Sequence, residues 1–337
     1  MSRFQVLLLT LVFYAVFIGC NYFKSDSDLP PVTQIEKLKQ TEFVPTLESN
    51  LSDNKNTIYA PTFLYAWEDV KQLFNSPIVT TGSNSTNFRL LNLSGSFKNS
   101  LNKGEYEANA SLDDELIIAK AFFHKALPFS SKLQKIDDGI VFGNEKVMAF
   151  GMNSPDDKII NFTKILFYKD DDNFIIKLIP EDTLHQIILV KGLQHIKTLA
   201  NAINQTNTLI QYGSHEKLQP KNTWKYEFNT SDNFSIPVIR FNIEAAYKDL
   251  EGQTFSNKGK KYTIQIATQR TALTLDENGA VVESQAFAAA DSVATPPKVH
   301  IKNMIFDKPF LIIIKQVDRT NPYFVMKIEN DELLKKT

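Results

Sequence analysis

One cysteine, Cys20, stands in a chain of 337 residues. A single thiol closes no internal disulfide and builds no multi-thiolate zinc site, so stability has to come from a buried core. Histidine is scarce as well: His124, His185, His195, His215 and His300 are scattered, with no His-Glu-x-x-His and no metal-ligand spacing. The chain has no Gly-x-Ser-x-Gly elbow, no Walker loop and no Gly-x-Gly-x-x-Gly, which leaves hydrolase, nucleotide and dinucleotide chemistry without residues to carry it. An enzyme is therefore not expected, and no cofactor is implied. Neither sign of charge is in excess, since 37 basic and 38 acidic residues leave a net charge of -1. With no basic block interleaved with aromatics, nucleic acid is not an expected partner.

What is present begins with an apolar amino end. Arg3 supplies a positive region, Gln5 to Ile18 is almost continuously apolar, and the stretch closes on Phe17-Ile18-Gly19-Cys20, which resembles a bacterial lipobox. Residues 1–19 read as a lipoprotein signal peptide, with Cys20 the lipidated first residue of the mature chain. A retained membrane anchor is the competing reading, but the apolar run is short for a span and ends at the sole cysteine. Lipidation implies a lipid anchor in a bacterial cell envelope, facing the periplasm or the cell surface. Residues 20–56 read as a tether with a weak first helix, and residues 57–337 as the folded domain.

Within that domain, Phe63, Ala66, Trp67, Val70 and Phe74 have the spacing of one helix face. Residues 75–111 are polar, offering only short strands around Phe88 to Leu93. β-Branched and aromatic content predicts strands over 115–123, 164–168, 174–179, 236–245, 262–275 and 310–317, while 183–189 and 192–203 read as helices. Long strands with no βαβ rhythm point to an α+β domain. Asp170-Asp171-Asp172 reads as a turn between strands, and a calcium site there would need oxygen ligands from elsewhere.

The segment from Ala280 is the most distinctive. Every second position is small, namely Ala280, Val282, Ser284, Ala286, Ala288, Ala290, Ser292 and Ala294, while the positions between are larger or more polar on average. Strand side chains alternate between faces, so one face of this ribbon suits a sheet at little cost when exposed in a loop. Leu275-Asp276-Glu277-Asn278-Gly279 before it, and Phe306-Asp307-Lys308-Pro309-Phe310-Leu311-Ile312-Ile313-Ile314 after it, resemble the reactive-loop hinge and carboxyl-terminal signature of the serpins. Tyr59 to Leu64, Leu116 to Lys125, Asp172 to Pro180 and Ile236 to Glu244 resemble further segments of that family in the same order, so that the resemblance covers roughly residues 57 to 328.

The resemblance implies a serpin-like α+β fold: a large central β-sheet with helices, a second sheet, and an exposed reactive-type loop near the carboxyl end. It also implies a function carried by conformational change. The loop would be protease bait, and once cut it would enter the central sheet with the acylated protease attached. Glu277, Gly279, Ala280, Val282 and Ser284 would be the hinge, and the scissile bond would fall near Val293-Ala294, where a small apolar residue suits an elastase-like protease. The partner would be that protease, met by a monomer. The chain departs from the family pattern at Ala60, Phe63, Ala119, Leu127 and Gln269, and carries Val282-Glu283-Ser284-Gln285 where an alanine run is usual. Two readings stay open: a protease inhibitor, and a non-inhibitory serpin-like binding or structural lipoprotein.

Overall fold

The computed structural model describes residues 29–74, 78, 85–154, 156–229, 231–280 and 300–337. The first elements are β1 (Thr33–Gln34), β2 (Thr41–Phe43), β3 (Asn56–Tyr59), α1 (Thr62–Phe74) and α2 (Thr86–Leu93). Then come β4 (Glu107–Asp113), β5 (Leu116–Phe123), β6 (Leu127–Pro128), β7 (Gln134–Phe142), β8 (Glu145–Met152) and α3 (Asp157–Phe162). The next are β9 (Thr163–Asp170), β10 (Asn173–Leu178), β11 (His185–Lys191), α4 (Leu199–Glu216), β12 (Asn233–Pro237) and β13 (Ile239–Ala246). β14 (Thr254–Asn257), β15 (Lys260–Leu275), β16 (Gly279–Ala280), β17 (Asn303–Ile305), β18 (Phe310–Gln316) and β19 (Phe324–Ile328) complete the described chain.

These strands form an α+β architecture. A central sheet runs β1-β13-β15-β5-β4, with β14 also on β15. A second runs β2-β3-β19-β18-β11-β10-β9, a third β17-β12-β8-β7, and β16 pairs with β6 alone. β18, Phe-Leu-Ile-Ile-Ile-Lys-Gln, is buried along nearly its whole length because both its faces meet core, which is why its sequence is a continuous apolar run. β5 instead alternates, burying Ile117, Ala119, Ala121 and Phe123 and turning Leu116 and Lys120 to solvent. The apolar face of α1, with Phe63, Ala66, Trp67, Val70 and Phe74, packs into the same core as Ile117 and Ala119. A second core holds Phe123, Leu127, Leu275 and Ala280 together with β18 and β19 residues such as Ile312 and Phe324.

Four expectations need correction. Residues 183–189 are not a helix, because β11 occupies 185–191 between β10 and β18 and is buried on both sides; a run buried all round has no helical or strand periodicity to read. The helix expected over 192–203 starts only at Leu199, where Thr198 caps it by accepting from the Asn201 amide at 3.0 Å, and it runs on to Glu216. Around Phe88 to Leu93 the chain is helical, capped by Ser85 accepting from the Phe88 amide at 3.1 Å, and the polar strand β4 went unforeseen. The stretch 20–56 is not simply tether and weak helix: its only helical piece among the described residues is a 3-10 turn over Ile35–Lys37. β1 pairs with β13 and β2 with β3, and Thr41, Val44, Thr46 and Leu47 are buried, so packing begins well before residue 57.

Candidate functional site

The hinge expected at Glu277, Gly279 and Ala280 is a built turn. Asp276 accepts from the Asn278 amide at 2.8 Å and from its side-chain nitrogen at 3.1 Å, an Asx turn that reverses the chain leaving β15. Reciprocal backbone bonds of 3.1 Å join Asp276 and Gly279. Burial pushes the Asp276 carboxyl above the ordinary aspartate range, against the pull of the bonds from Asn278. Glu277 pairs with Lys135 at 3.1 Å, and its carbonyl accepts from the Leu133 amide at 2.8 Å. Gly279 has φ of +115°, and a Cβ there would lie 2.5 Å from the Leu127 carbonyl oxygen and 2.7 Å from the Phe129 nitrogen. Glycine is required twice, by the dihedral and by the close approach.

The next residue is held by a short strand pairing. Ala280 is wholly buried, and β16 pairs antiparallel with β6, Gly279 opposite Pro128 and Ala280 opposite Leu127. The Phe129 amide donates to the Asn278 carbonyl at 2.9 Å. The other sequence-expected residues, Val282, Ser284, Val293, Ala294 and Cys20, lie outside the described residues.

Below the hinge runs a parallel seam. β15 and β5 pair in parallel from Thr263 opposite Leu116 to Thr271 opposite Phe123, with one irregularity between Ile264 and Ile266. Past Phe123, β15 continues to Leu275 on β13 alone, while the chain from β5 leads through His124 to Ala126 into β6, the hinge's partner. The ribbon thus starts where two parallel neighbours part.

Three positions that depart from the family pattern meet beneath this seam. Gln269 is wholly buried; its Nε2 donates to Thr271 Oγ1 at 3.0 Å and reaches the Ala60 carbonyl at 3.4 Å, and its Oε1 accepts from Tyr247 Oη at 3.1 Å. Phe63 packs on Tyr247 with ring centroids 4.7 Å apart. The start of α1 is thereby tied to the seam. On the outer side Arg270 lies over the Phe122 ring at 4.6 Å and donates to Asn242 at 2.8 Å.

The far end of the ribbon has an anchor that sequence reasoning missed. His300 stacks on Trp224 at 4.3 Å, and its carbonyl accepts from Asn229 at 2.9 Å. Two residues on, Lys302 and Asp232 form an ion pair of 2.6 Å with both side chains wholly buried, and Lys302 Nζ also donates to the Trp224 carbonyl at 2.8 Å. Nothing in local sequence marks a lysine and an aspartate seventy residues apart as partners.

Among the described residues no three His, Cys, Asp or Glu side chains are grouped to hold a metal ion. The Asp170–Asp172 cluster is the turn between β9 and β10, as expected, and its carboxylates have protein partners. Bonds from Lys308 and Lys191 hold Asp172 down to about 2. No described helix is long and apolar enough to cross a membrane.

No protein-family model matches this chain, and no curated protein sequence does. Among solved structures it is similar to a serpin from the trematode Schistosoma haematobium, at 14% identity and a TM-score of 0.39 over 65% of this chain and 58% of that one. It is similar to thyroxine-binding globulin in complex with thyroxine, at 11% identity and a TM-score of 0.37 over the same 65% and 58%. It is also similar to Serpin48 of the insect Tenebrio molitor, at 14% identity and a TM-score of 0.32 over 63% and 55%. The chain therefore spans a little over half the length of these structures. Serpins are the family that the sequence motifs resemble, and the α+β class is the one that this resemblance implies.

Proposed function

We propose that this chain is a serpin-like inhibitor of proteases that works by cleavage of the loop after Ala280 and insertion of the cut end between β5 and β15. One observation carries the reading: β16 pairs with β6 in a register that, extended by counting through residues 124–126 into β5, would sort the ribbon largely by size. Gly279 faces Pro128 and Ala280 faces Leu127. The same register would set Ser284 opposite Phe123, Ala286 opposite Ala121, Ala288 opposite Ala119 and Ala290 opposite Ile117. Those four β5 residues are its buried ones, and opposite residues of an antiparallel pair share a face. The inserted strand would turn only Ser and Ala to the core under α1, and Gln285, Phe287, Ala289 and Asp291 outward. Asp291 would meet Leu116 at the end of β5. The bond between Val293 and Ala294 then falls just past the seam, where a cut frees the whole inserting length.

The native state forgoes a second ladder along β5 and β15, and that is the driving force. The target class is an elastase-like protease, and lipidation at Cys20 would hold the inhibitor at a bacterial envelope. A second reading, a non-inhibitory binding or structural protein, has its own support in Gln269, Ala60 and Phe63, which bind the seam to α1. Incubation with elastase-, subtilisin- and papain-like proteases followed by denaturing electrophoresis decides between them. Inhibition gives a band at the summed mass of chain and protease; clean digestion to fragments rejects it.

A further inference from the structure

We propose that His185 is an acid-sensitive lock on the segment that carries the hinge's partner strand. The residue opens β11 and is buried. Its Nδ1 lies 2.9 Å from Tyr323 Oη and its Nε2 3.3 Å from Asp182 Oδ2. A carboxylate only accepts, so Nε2 carries the proton, Nδ1 accepts, and the tyrosine donates. Tyr323 is wholly buried, and among the described residues its hydroxyl has no other hydrogen-bond partner.

Protonation of the ring breaks this arrangement. Nδ1 would become a donor, and the Tyr323 proton would be left inside the core with no acceptor. The new charge would also face Lys125, which sits two residues before β6 and pairs with Glu105 at 2.7 Å. The groups facing His185 are thus Asp182 from its own turn, Lys125 from the segment after β5, Glu105 from the loop before β4, and Tyr323 from the loop before β19; Gln316, opposite it on β18, is neutral. Burial and then Lys125 hold the imidazole below its ordinary range, outweighing the two carboxylates. A histidine depressed in the folded state takes up its proton more readily unfolded, so stability is full above the ordinary histidine range and falls as pH drops through it.

The strain has a short route to the hinge. Glu181, next to Asp182, donates its amide to the Pro128 carbonyl at 2.8 Å, and Pro128 is the residue opposite Gly279. Like-charge repulsion would act on Lys125 in the same segment. Acid therefore loosens β6 from both sides and, with it, the grip on β16. Asp276 in the hinge turn titrates with the opposite sign, since a carboxyl raised by folding favours the folded state as pH falls, and it cannot mimic the effect.

The test is amide hydrogen exchange on the full chain between pH 7.5 and 5.5, corrected for intrinsic rates, reading the Phe129 amide that donates to Asn278. Wild type is expected to lose protection by several-fold and up to about tenfold across this range, the most that one histidine can contribute, and His185→Gln, which substitutes a neutral polar side chain for the ring, to lose none. Equal pH dependence in the two proteins, or none in wild type, overturns the proposal. Should the variant not fold, a proton NMR titration of the wild-type histidines decides: His185 titrating at or above the ordinary value, about 6.5, also overturns it. Neither readout involves a protease, so failure to trap one leaves this inference standing.

Discussion

At Gly279 two requirements coincide that a sequence reading meets only singly. The resemblance supplied a hinge glycine; the structure adds that its missing Cβ lets the Leu127–Phe129 backbone approach to within bonding distance. Gly279→Ala would place a Cβ inside that contact at a dihedral alanine resists, so the hinge turn has to shift. We expect a cost of about 1–3 kcal/mol, read as a lower thermal midpoint, with β6 and β16 losing amide protection before the remainder of the chain. Unchanged protection of the Phe129 amide would mean that the hinge is not held by this pairing. The turn at Gly279 was legible because a turn and its glycine are local features. The meeting of Gln269 with Ala60 and Tyr247 was not, because its three members lie on β15, at the start of α1 and after β13, and only the packed sheet brings them together.

Elements were readable in proportion to how far their burial pattern shows in their own residues. β18 is a continuous apolar run because it is central, and α1 has a clear face because only one side of it meets the sheet. β11 misled because Ile187, Ile188, Leu189 and Val190 are all buried, so its pairing with β10 and β18 is decided by tertiary contacts. β4, Glu-Ala-Asn-Ala-Ser-Leu-Asp, is mostly exposed at a sheet margin and owes its conformation to β5. β17 is likewise held from outside, by its parallel pairing with β12 and by the buried Lys302–Asp232 pair just before it. Removing one charge strands the other in the core: Lys302→Met is expected to destabilise by about 3–5 kcal/mol, whereas Lys302→Met combined with Asp232→Leu should recover much of it. Urea unfolding of the three proteins checks this. An undiminished loss in the double variant would show that the bonds to the Trp224 carbonyl and Lys302 amide, and not charge balance, hold the anchor.

On the scale of the whole molecule, the described residues on the two sides of 281–299 are held unequally: a two-residue bridge at β16 on one side, and a stacked, ion-paired clamp at His300 and Lys302 on the other. On the proposed mechanism, a cut between them would free the β16 side to move while the clamped side would stay. If the freed strand enters between β5 and β15 and replaces their one shared ladder by two, the nicked chain gains a net few kcal/mol over the intact one, and at about 2–4 °C per kcal/mol its thermal midpoint rises by on the order of 10 °C. Ala288→Arg separates insertion from mere cleavage, because the proposed register sets this residue opposite Ala119, which is buried against α1. The variant should be cut at the same rate as wild type and gain no stability from the cut, with no covalent complex formed. A nicked wild type that melts with the intact chain would remove insertion from the mechanism, and a stabilised Ala288→Arg would move the register and, with it, the face of the ribbon that enters the core.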